Sequence, residues 1–555
     1  MNPVRFLVVL SGLLAASTAI RAQSFTYTSE NSKTTITGFS AEPTGAVTVP
    51  STLGGYTVAE IGRAAFKDRA GITSIAFASG ASVTKIGAGA FQGCTALQTI
   101  SLPTGTTVLP QGLLQGCAAL TSVTIPSTVT SIGPMAFSGC KAITTLTLPA
   151  SLTTIGDSAL AGCGSLATLA VPGGVNAIPA EMCDDCGSLV SITFAGNVTA
   201  VGNNAFHNCR ALITCNPPAT VATIGAGAFS GCSALTSISF GNALATIGDG
   251  AFRGCGSLAS ISVSSGNSVF SSQDGVLFDT AKTTLILCPP AKGGTYPVPP
   301  SVTSLGTGAF AHCAGLTTVT LPAGLTTLAE DAFYYATGLT TPPLTTHVTG
   351  IGSWACAGLK SLTNLTLSSA VTSLGDDAFH SASSLKWVIF EGDAPSTLGN
   401  EPFDAANDEF TVFYYPSSVG FTSPLWYGYP AVELGASPAL VAWLTGYGLP
   451  PDTGILTDSN HDGVSLLMAY ALGLDPTRNL STSLPQPVLA NGALSLTFQG
   501  DSDGIIYGAE TSADLSTWTS AGVTVSEPDA QGKRTVSIPV SAGARFLRLA
   551  VRPSP

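Results

Sequence analysis

Apolar residues return along this chain at a fixed interval, in a unit that reads I-G-x-x-A-F-x-x-C-x-x-L-x-x-I-x-L-P-x-x-V-x-x. Its opening residue recurs at Ile61, Ile86, Leu109, Ile132, Ile155, Ile178, Val201, Ile224 and Ile247, and again at Leu305, Leu328, Ile351 and Leu374. Every step is 23 residues except the first, from Ile61 to Ile86, and the long interval from Ile247 to Leu305. A fixed period of this length marks a solenoid, in which each unit buries its apolar face against its neighbours. Within a unit, L-x-x-I-x-L alternates apolar and polar positions and predicts a short strand, as in Thr145-Leu146-Thr147-Leu148 and Ser237-Ile238-Ser239-Phe240. The Pro that often follows has no N–H for a ladder and ends the strand. The I-G-x-x-A-F stretch predicts a tight turn with a short helical or 3₁₀ segment, its Phe and Cys pointing inward. Parallel strands stack ~4.8 Å apart, so the repeats predict a rod about 60 Å long.

Cysteine occupies one slot of the unit at Cys94, Cys117, Cys140, Cys163, Cys186, Cys209, Cys232 and Cys255. Neighbouring copies stand close enough in a stack for a disulfide, but their Cβ vectors run parallel instead of facing each other. Ala336 and Ala382 fill the same slot. The expectation is a ladder of packed free thiols acting as small apolar groups. Cys183 and Cys356 fall in the Phe slot and Cys215 in the strand Ile slot, so they read as core too. Cys183-Asp184-Asp185-Cys186 has C-x-x-C spacing, but no second such pair and no positioned His accompany it.

The I-G-x-x-A-F-x-x-C unit resembles the BspA-like leucine-rich repeats, a bacterial class with a 23-residue unit, over roughly residues 24–434. Phe25-Thr26-Tyr27 with Thr34-Thr35-Ile36-Thr37-Gly38 resembles that family's N-terminal capping hairpin. Tyr414-Tyr415-Pro416 with Trp426-Tyr427-Gly428-Tyr429-Pro430 resembles its closing strand. Caps are needed because an open end exposes apolar core and unpaired strand edges. The resemblance implies adhesion or protein recognition outside the cell.

Composition changes this picture in two ways. Charged residues are only 9% and the net charge is −12, with no basic stripe, which disfavours nucleic acid as a partner. The N-terminus pairs Arg5 with the apolar run Phe6–Ala16 and ends at Ala22, which reads as a secretory signal over 1–22. The run is shorter than the ~20 residues of a spanning helix, so no membrane span is expected once the signal is removed. No Cys precedes Cys94 to serve as a lipid attachment point there.

The expected organisation is a signal over 1–22, a capping hairpin over 23–58 and a solenoid over 59–434. A hairpin insert at about 264–300 projects from it. A helical linker over 435–482 and a small antiparallel β-sandwich over 483–555 follow. The hairpin rests on Gly275–Asp279 and Thr283–Cys288, which read as two strands. Ser512-Ala513-Asp514-Leu515-Ser516-Thr517-Trp518-Thr519 and the linker's Tyr470–Pro476 resemble C-terminal segments of secreted verrucomicrobial proteins. In the linker, Asp458-Ser459-Asn460-His461-Asp462-Gly463 resembles the start of an EF-hand or dockerin calcium loop. Asp458, Asn460 and Asp462 stand at ligand positions, but Leu466 and Ala469 stand where further ligands belong. A plain Asx turn accounts for the same residues, so calcium is the one candidate ion and no other cofactor is expected.

Chemistry is otherwise absent from the pattern. The five histidines have no nucleophile or metal partner in sequence, and Gly87-Ala88-Gly89-Ala90-Phe91-Gln92-Gly93 has the wrong spacing for a dinucleotide fingerprint. What remains is the outward strand face, a carpet of hydroxyls that includes Thr145, Thr147, Ser237 and Ser239, with Trp354 and Trp387 as candidate anchors near the C-terminal end. Hydroxyls also suit any solvated strand. The reading is a secreted or cell-surface, monomeric, non-catalytic scaffold that binds an extracellular protein. The alternatives are glycan capture, which predicts exposed aromatics near the insert or the C-terminal sandwich, and a structural envelope component without a discrete ligand.

Overall fold

A computed structural model describes residues 25–404, 406–540 and 546–554; the signal expected over 1–22 lies outside the described residues. The chain forms two compact units. One runs to Leu362 and adds Ser373–Ser384 and Thr397–Ala406; the other comprises Thr363–Thr372, Leu385–Ser396 and Asn407 onward.

The first unit is a β-solenoid. A regular coil contributes two strands, although the alternating segment forms none between Thr327–Leu328 and Gly350–Ile351. The first is the alternating segment, whose parallel register is set one repeat apart: Thr168–Val171 pairs with Ser191–Phe194, and Ser237–Phe240 with Ser260–Val263. The second is a two-residue strand at the opening apolar residue, as in Ser131–Ile132 paired with Thr154–Ile155. Two residues carry no periodicity, so this second ladder is not legible in the pattern. Around Thr145 the first strand narrows to a single bridge with Thr168.

The I-G-x-x-A-F stretch forms turns, with no 3₁₀ helix, because alternate N–H groups leave the coil. Met135, Phe137 and Gly139 donate to Asp157, Ala159 and Ala161 of the next coil at 2.9, 2.8 and 2.7 Å. The same three bonds recur from coil to coil, so the turns form a third ladder. Two positions per turn take the left-handed backbone that this ladder requires: Met135 has φ 54° and Gly139 φ 75°. The turns also approach closely. A Cβ on Gly156 would stand 2.4 Å from the Pro134 nitrogen, which accounts for a glycine there.

The interior is columnar. Phe206, Phe229 and Phe252 stack at 5.3 and 5.6 Å. At the N-terminal end the antiparallel strands Phe25–Glu30 and Lys33–Phe39 bring Phe39 edge-on to Phe66 at 4.8 Å, which closes the column. All 13 cysteines are free and buried. The thiols in the repeat's Cys slot do more than fill space: Cys140 Sγ donates to Leu114 O at 3.2 Å and Cys163 Sγ to Phe137 O at 3.3 Å, carbonyls of the preceding coil.

The interruption is not a projecting hairpin. Phe270–Gln273, Val276–Asp279 and Thr284–Leu287 form an antiparallel meander with Leu277, Phe278 and Leu285 fully buried. Thr284–Leu287 then joins the second ladder through Ser304–Leu305, and Gly294–Pro297 joins the first through Leu316–Thr320. The apolar side chains of these strands need the core, so the segment sits in the stack as an irregular coil.

The second unit contains a five-stranded sheet: Asn364–Leu367, Trp387–Phe390, Thr411–Tyr414 and Tyr429–Glu433 run parallel, and Leu425–Trp426 closes it antiparallel. Helix α1 (Pro438–Gly446) and helix α2 (Leu466–Ala471) follow, capped by Ser437 and Ser465. Two antiparallel sheets complete the unit. Ala493–Gln499 pairs with Lys533–Pro539, and Ile505–Ser512 with Phe546–Pro553. They share a core of Leu496, Phe498, Ala509, Val536, Ile538 and Leu547.

Candidate functional site

The strand face of the solenoid carries the hydroxyl candidates. Thr145, Thr147, Ser237 and Ser239 are all exposed, because period-2 alternation turns them away from Leu146, Ile238 and Phe240. Thr145 bridges to Thr168, and pairing continues through Ser191, Thr214, Ser237 and Ser260, so these positions lie in one continuous row. No charged side chain stands in that row. Its hydroxyls also meet each other, as in Ser239 and Ser262 at 2.7 Å.

The two tryptophans do not join that face. Trp354 lies on the turn side at φ 57°, in the left-handed slot that Met135, Ser158, Glu181 and Asn204 fill in other coils. Its half-buried ring is 6.3 Å from Tyr334 and 5.0 Å from His380. Tyr335 (φ 53°) and His312 (φ 61°) occupy a second such slot, with ring centroids 6.0 Å apart. Arg253 lies over Tyr334 at 5.0 Å. Burial and the Arg253 charge hold His312 below its ordinary range, so it is neutral at pH 7. This aromatic row was readable only as scattered residues, because its members hold different positions within the unit.

Trp387 has the outward position of its strand yet is 7% exposed. It clusters with Ile389, Phe413, Tyr415 and Leu434, and Val441 of α1 covers them. The polar face has turned apolar here because a helix packs on it. An exposed hot spot at Trp387 is therefore corrected to a buried packing residue. Its indole N–H has no partner, and a cavity of ≈ 500 Å³ bordered by Lys386, Trp387, Glu409 and Asp452 lies beside it.

The D-x-N-x-D-G loop is held by its own side chains. Asp458 accepts from Asp462 N and Gly463 N at 3.1 and 2.7 Å, and Asp462 accepts from Leu480 N and Val464 N at 2.5 and 2.8 Å. Asn460 Nδ2 donates to Pro476 O and Arg478 O. The backbone bond from Leu480 holds the Asp462 carboxyl below its ordinary range. Asp475 binds Thr477 and pairs with Arg478 at 3.1 Å, so its carboxylate serves its own turn. The arrangement is an Asx network that ties residues 458–463 to 476–480. Among the described residues no group of three or more His, Cys, Asp and Glu is placed to hold a metal ion.

The thiols are poorly suited to chemistry. Burial pushes Cys94 and Cys255 up to about 12, which suppresses the reactive thiolate. Cys183 is pushed well above its ordinary value by the bond to Cys186 and by burial. Asp184 of that C-x-x-C meets His207 Nδ1 of the next coil at 2.7 Å. No helix among the described residues is long and apolar enough to cross a membrane.

Parallel coils, a strand face and a columnar core define a leucine-rich-repeat solenoid. The BspA type leucine rich repeat region (6 copies) matches residues 59–186, 170–280 and 295–407. These segments make up more than half of the 555 residues, and the chain belongs to that family. A leucine-rich repeat protein from Bacteroides ovatus is 24% identical, covering 74% of this chain and 98% of its own, with a TM-score of 0.51. A leucine rich cell surface protein from Faecalibacterium prausnitzii is 23% identical, covering 73% and 96%, with a TM-score of 0.47. The first of these bears on the fold alone. No curated sequence matches the chain.

Proposed function

We propose that this chain is a non-catalytic binding scaffold that works outside the bacterial cell, secreted or at its surface, in adhesion or protein recognition. The carrying observation is the uncharged hydroxyl row from Thr145 to Ser260, exposed at Thr145, Thr168, Thr214 and Ser237 and half-buried at Ser191 and Ser260. Such a face offers many modest hydrogen bonds in rigid register, each worth roughly 1 kcal/mol. The apolar segment at 1–22 supports export. The test is solid-phase binding of the mature chain to immobilised extracellular-matrix proteins, with Thr214→Arg and Ser237→Arg as probes. Binding lost in both variants at unchanged melting temperature supports the reading. Equal binding by wild type and variants removes the strand face from it.

A second reading, glycan capture, is favoured by one specific observation. His312, Tyr334, Tyr335 and Trp354 form a half-exposed aromatic row on the turn side, the kind of surface on which sugar rings pack. Retardation in gels containing neutral polysaccharide, lost in Trp354→Gly, distinguishes it from the first.

A further inference from the structure

The turn ladder is interrupted once within the stack, and the break leaves a slot. In the coil before it, Gly227, Phe229 and Gly231 donate to Asp249 O, Ala251 O and Arg253 O at 3.0, 2.8 and 2.7 Å. The equivalent donors of the following coil are Gly250, Phe252 and Gly254, and these three N–H groups have no hydrogen-bond partner among the described residues. Beyond the break the ladder resumes: Gly308, Phe310 and His312 donate to Glu330 O, Ala332 O and Tyr334 O. Of the carbonyls that should receive from below, only Ala309 O is used, by Cys288 N at 2.7 Å; those of Thr307 and Ala311 receive nothing.

The cause is a short connection. Leu285 pairs with Leu305 and Thr295 with Thr318, so the irregular coil spans ten residues where the next coil spans thirteen. It lacks the excursion that would form a turn, and it crosses on Pro289 and Pro290, which have no N–H. A space of ≈ 440 Å³ remains, bordered by Gly250, Phe252, Ile286, Leu287, Thr307 and Ala311. Ile286 and Leu287 are half-exposed on it. Gly250 and Gly254 are exposed, whereas Gly227 and Gly231 of the paired coil are half-buried.

We infer that this slot binds a peptide segment of a partner protein in the turn conformation of a regular coil, which completes the turn ladder. Of the three donor residues, Gly250 and Phe252 border the space on one side, and Thr307 and Ala311, whose carbonyls are free, border it on the other. In the regular turns the same alternate donors meet carbonyls on alternate residues of the next coil. The apolar border at Ile286 and Leu287 takes an apolar side chain from the segment, as the Phe slot does in a regular coil. Arg253 and Asp331 stand at the rim, 3.8 Å apart, and Asp249 also borders the space. The slot lies on the turn side, so the inference does not depend on the strand-face reading above.

The probe is a blocked peptide Ile-Gly-Ala-Gly-Ala-Phe-Ser-Gly, the turn sequence of residues 224–231, added to the full chain at about 1 mM, where even a millimolar affinity half-fills the slot. Amide exchange is read residue by residue. Without peptide, Gly250, Phe252 and Gly254 exchange faster than Gly227, Phe229 and Gly231. With peptide they slow by at least about twofold, the factor that half occupancy gives, and further as the peptide is raised. A peptide with Asp in place of Phe gives no such protection, nor does the Leu287→Asp chain, whose Gly139 and Gly162 amides stay slow and report an intact fold. The inference fails if the peptide changes nothing or if Leu287→Asp is protected equally. Protection that appears without peptide and grows with chain concentration overturns it as well, by assigning the slot to a second copy of this chain.

Discussion

Single positions of the repeat obey separate constraints, which the structure distinguishes. Gly156 is set by proximity, since its hydrogen faces the Pro134 nitrogen. Gly156→Ala is expected to cost about 1–3 kcal/mol by overpacking, seen as a lower thermal midpoint. Met135 is set by backbone, at φ 54°. Met135→Gly removes a Cβ from a left-handed residue and is expected to stabilise by up to about 1 kcal/mol, raising the same midpoint. Cys140 is set by packing and by its bond to Leu114 O. Cys140→Ala is expected to cost about 1–2 kcal/mol, the loss of a small buried group and a hydrogen-bond donor.

At the scale of elements, the clearest consequence concerns Trp387. It packs beneath α1 instead of facing solvent, so Trp387→Ala is expected to destabilise the second unit by about 3–5 kcal/mol, measured by denaturant unfolding. A pure binding anchor would leave the unfolding midpoint unchanged. The C-terminal segments also carry a pH signature. Backbone bonds from Thr517 and Ser516 hold Asp514 well below the ordinary carboxylate range, and bonds from Thr477 do the same for Asp475. A carboxyl whose folded pKa is depressed adds stability above its unfolded value of ~3.9. That contribution is lost as pH falls through the folded pKa. Unfolding of the second unit followed between pH 6 and pH 2 should shift to lower temperature below about pH 4, and Asp514→Asn should flatten the shift. The long strand was legible because Leu146, Leu148, Ile238 and Phe240 alternate with hydroxyls, and the stack because Ile and Phe return every 23 residues. The two-residue ladder at Ser131–Ile132 was not, because two residues carry no periodicity. The insert read as a projecting hairpin because its strands are locally complete, while their burial depends on coils distant in sequence. Trp387 misled for the same reason: alternation places it outward, and only the later docking of α1 covers it.

For the molecule as a whole, stability is distributed. Each coil touches its neighbours, so interactions are short in range along the stack and cooperativity is limited. The irregular coil that follows Ile261 is the natural point of separation, since the turn ladder is absent there. The arrangement rests on successive 23-residue coils stacking so that every cysteine points into one interior. Intact-mass analysis after alkylation at pH 8, without and with denaturant, tests that most directly. The native chain should give no adduct and the unreduced, unfolded chain 13, one for each free buried thiol. Native labelling of Cys140 or Cys163, or fewer adducts after unfolding because thiols are paired, would contradict it.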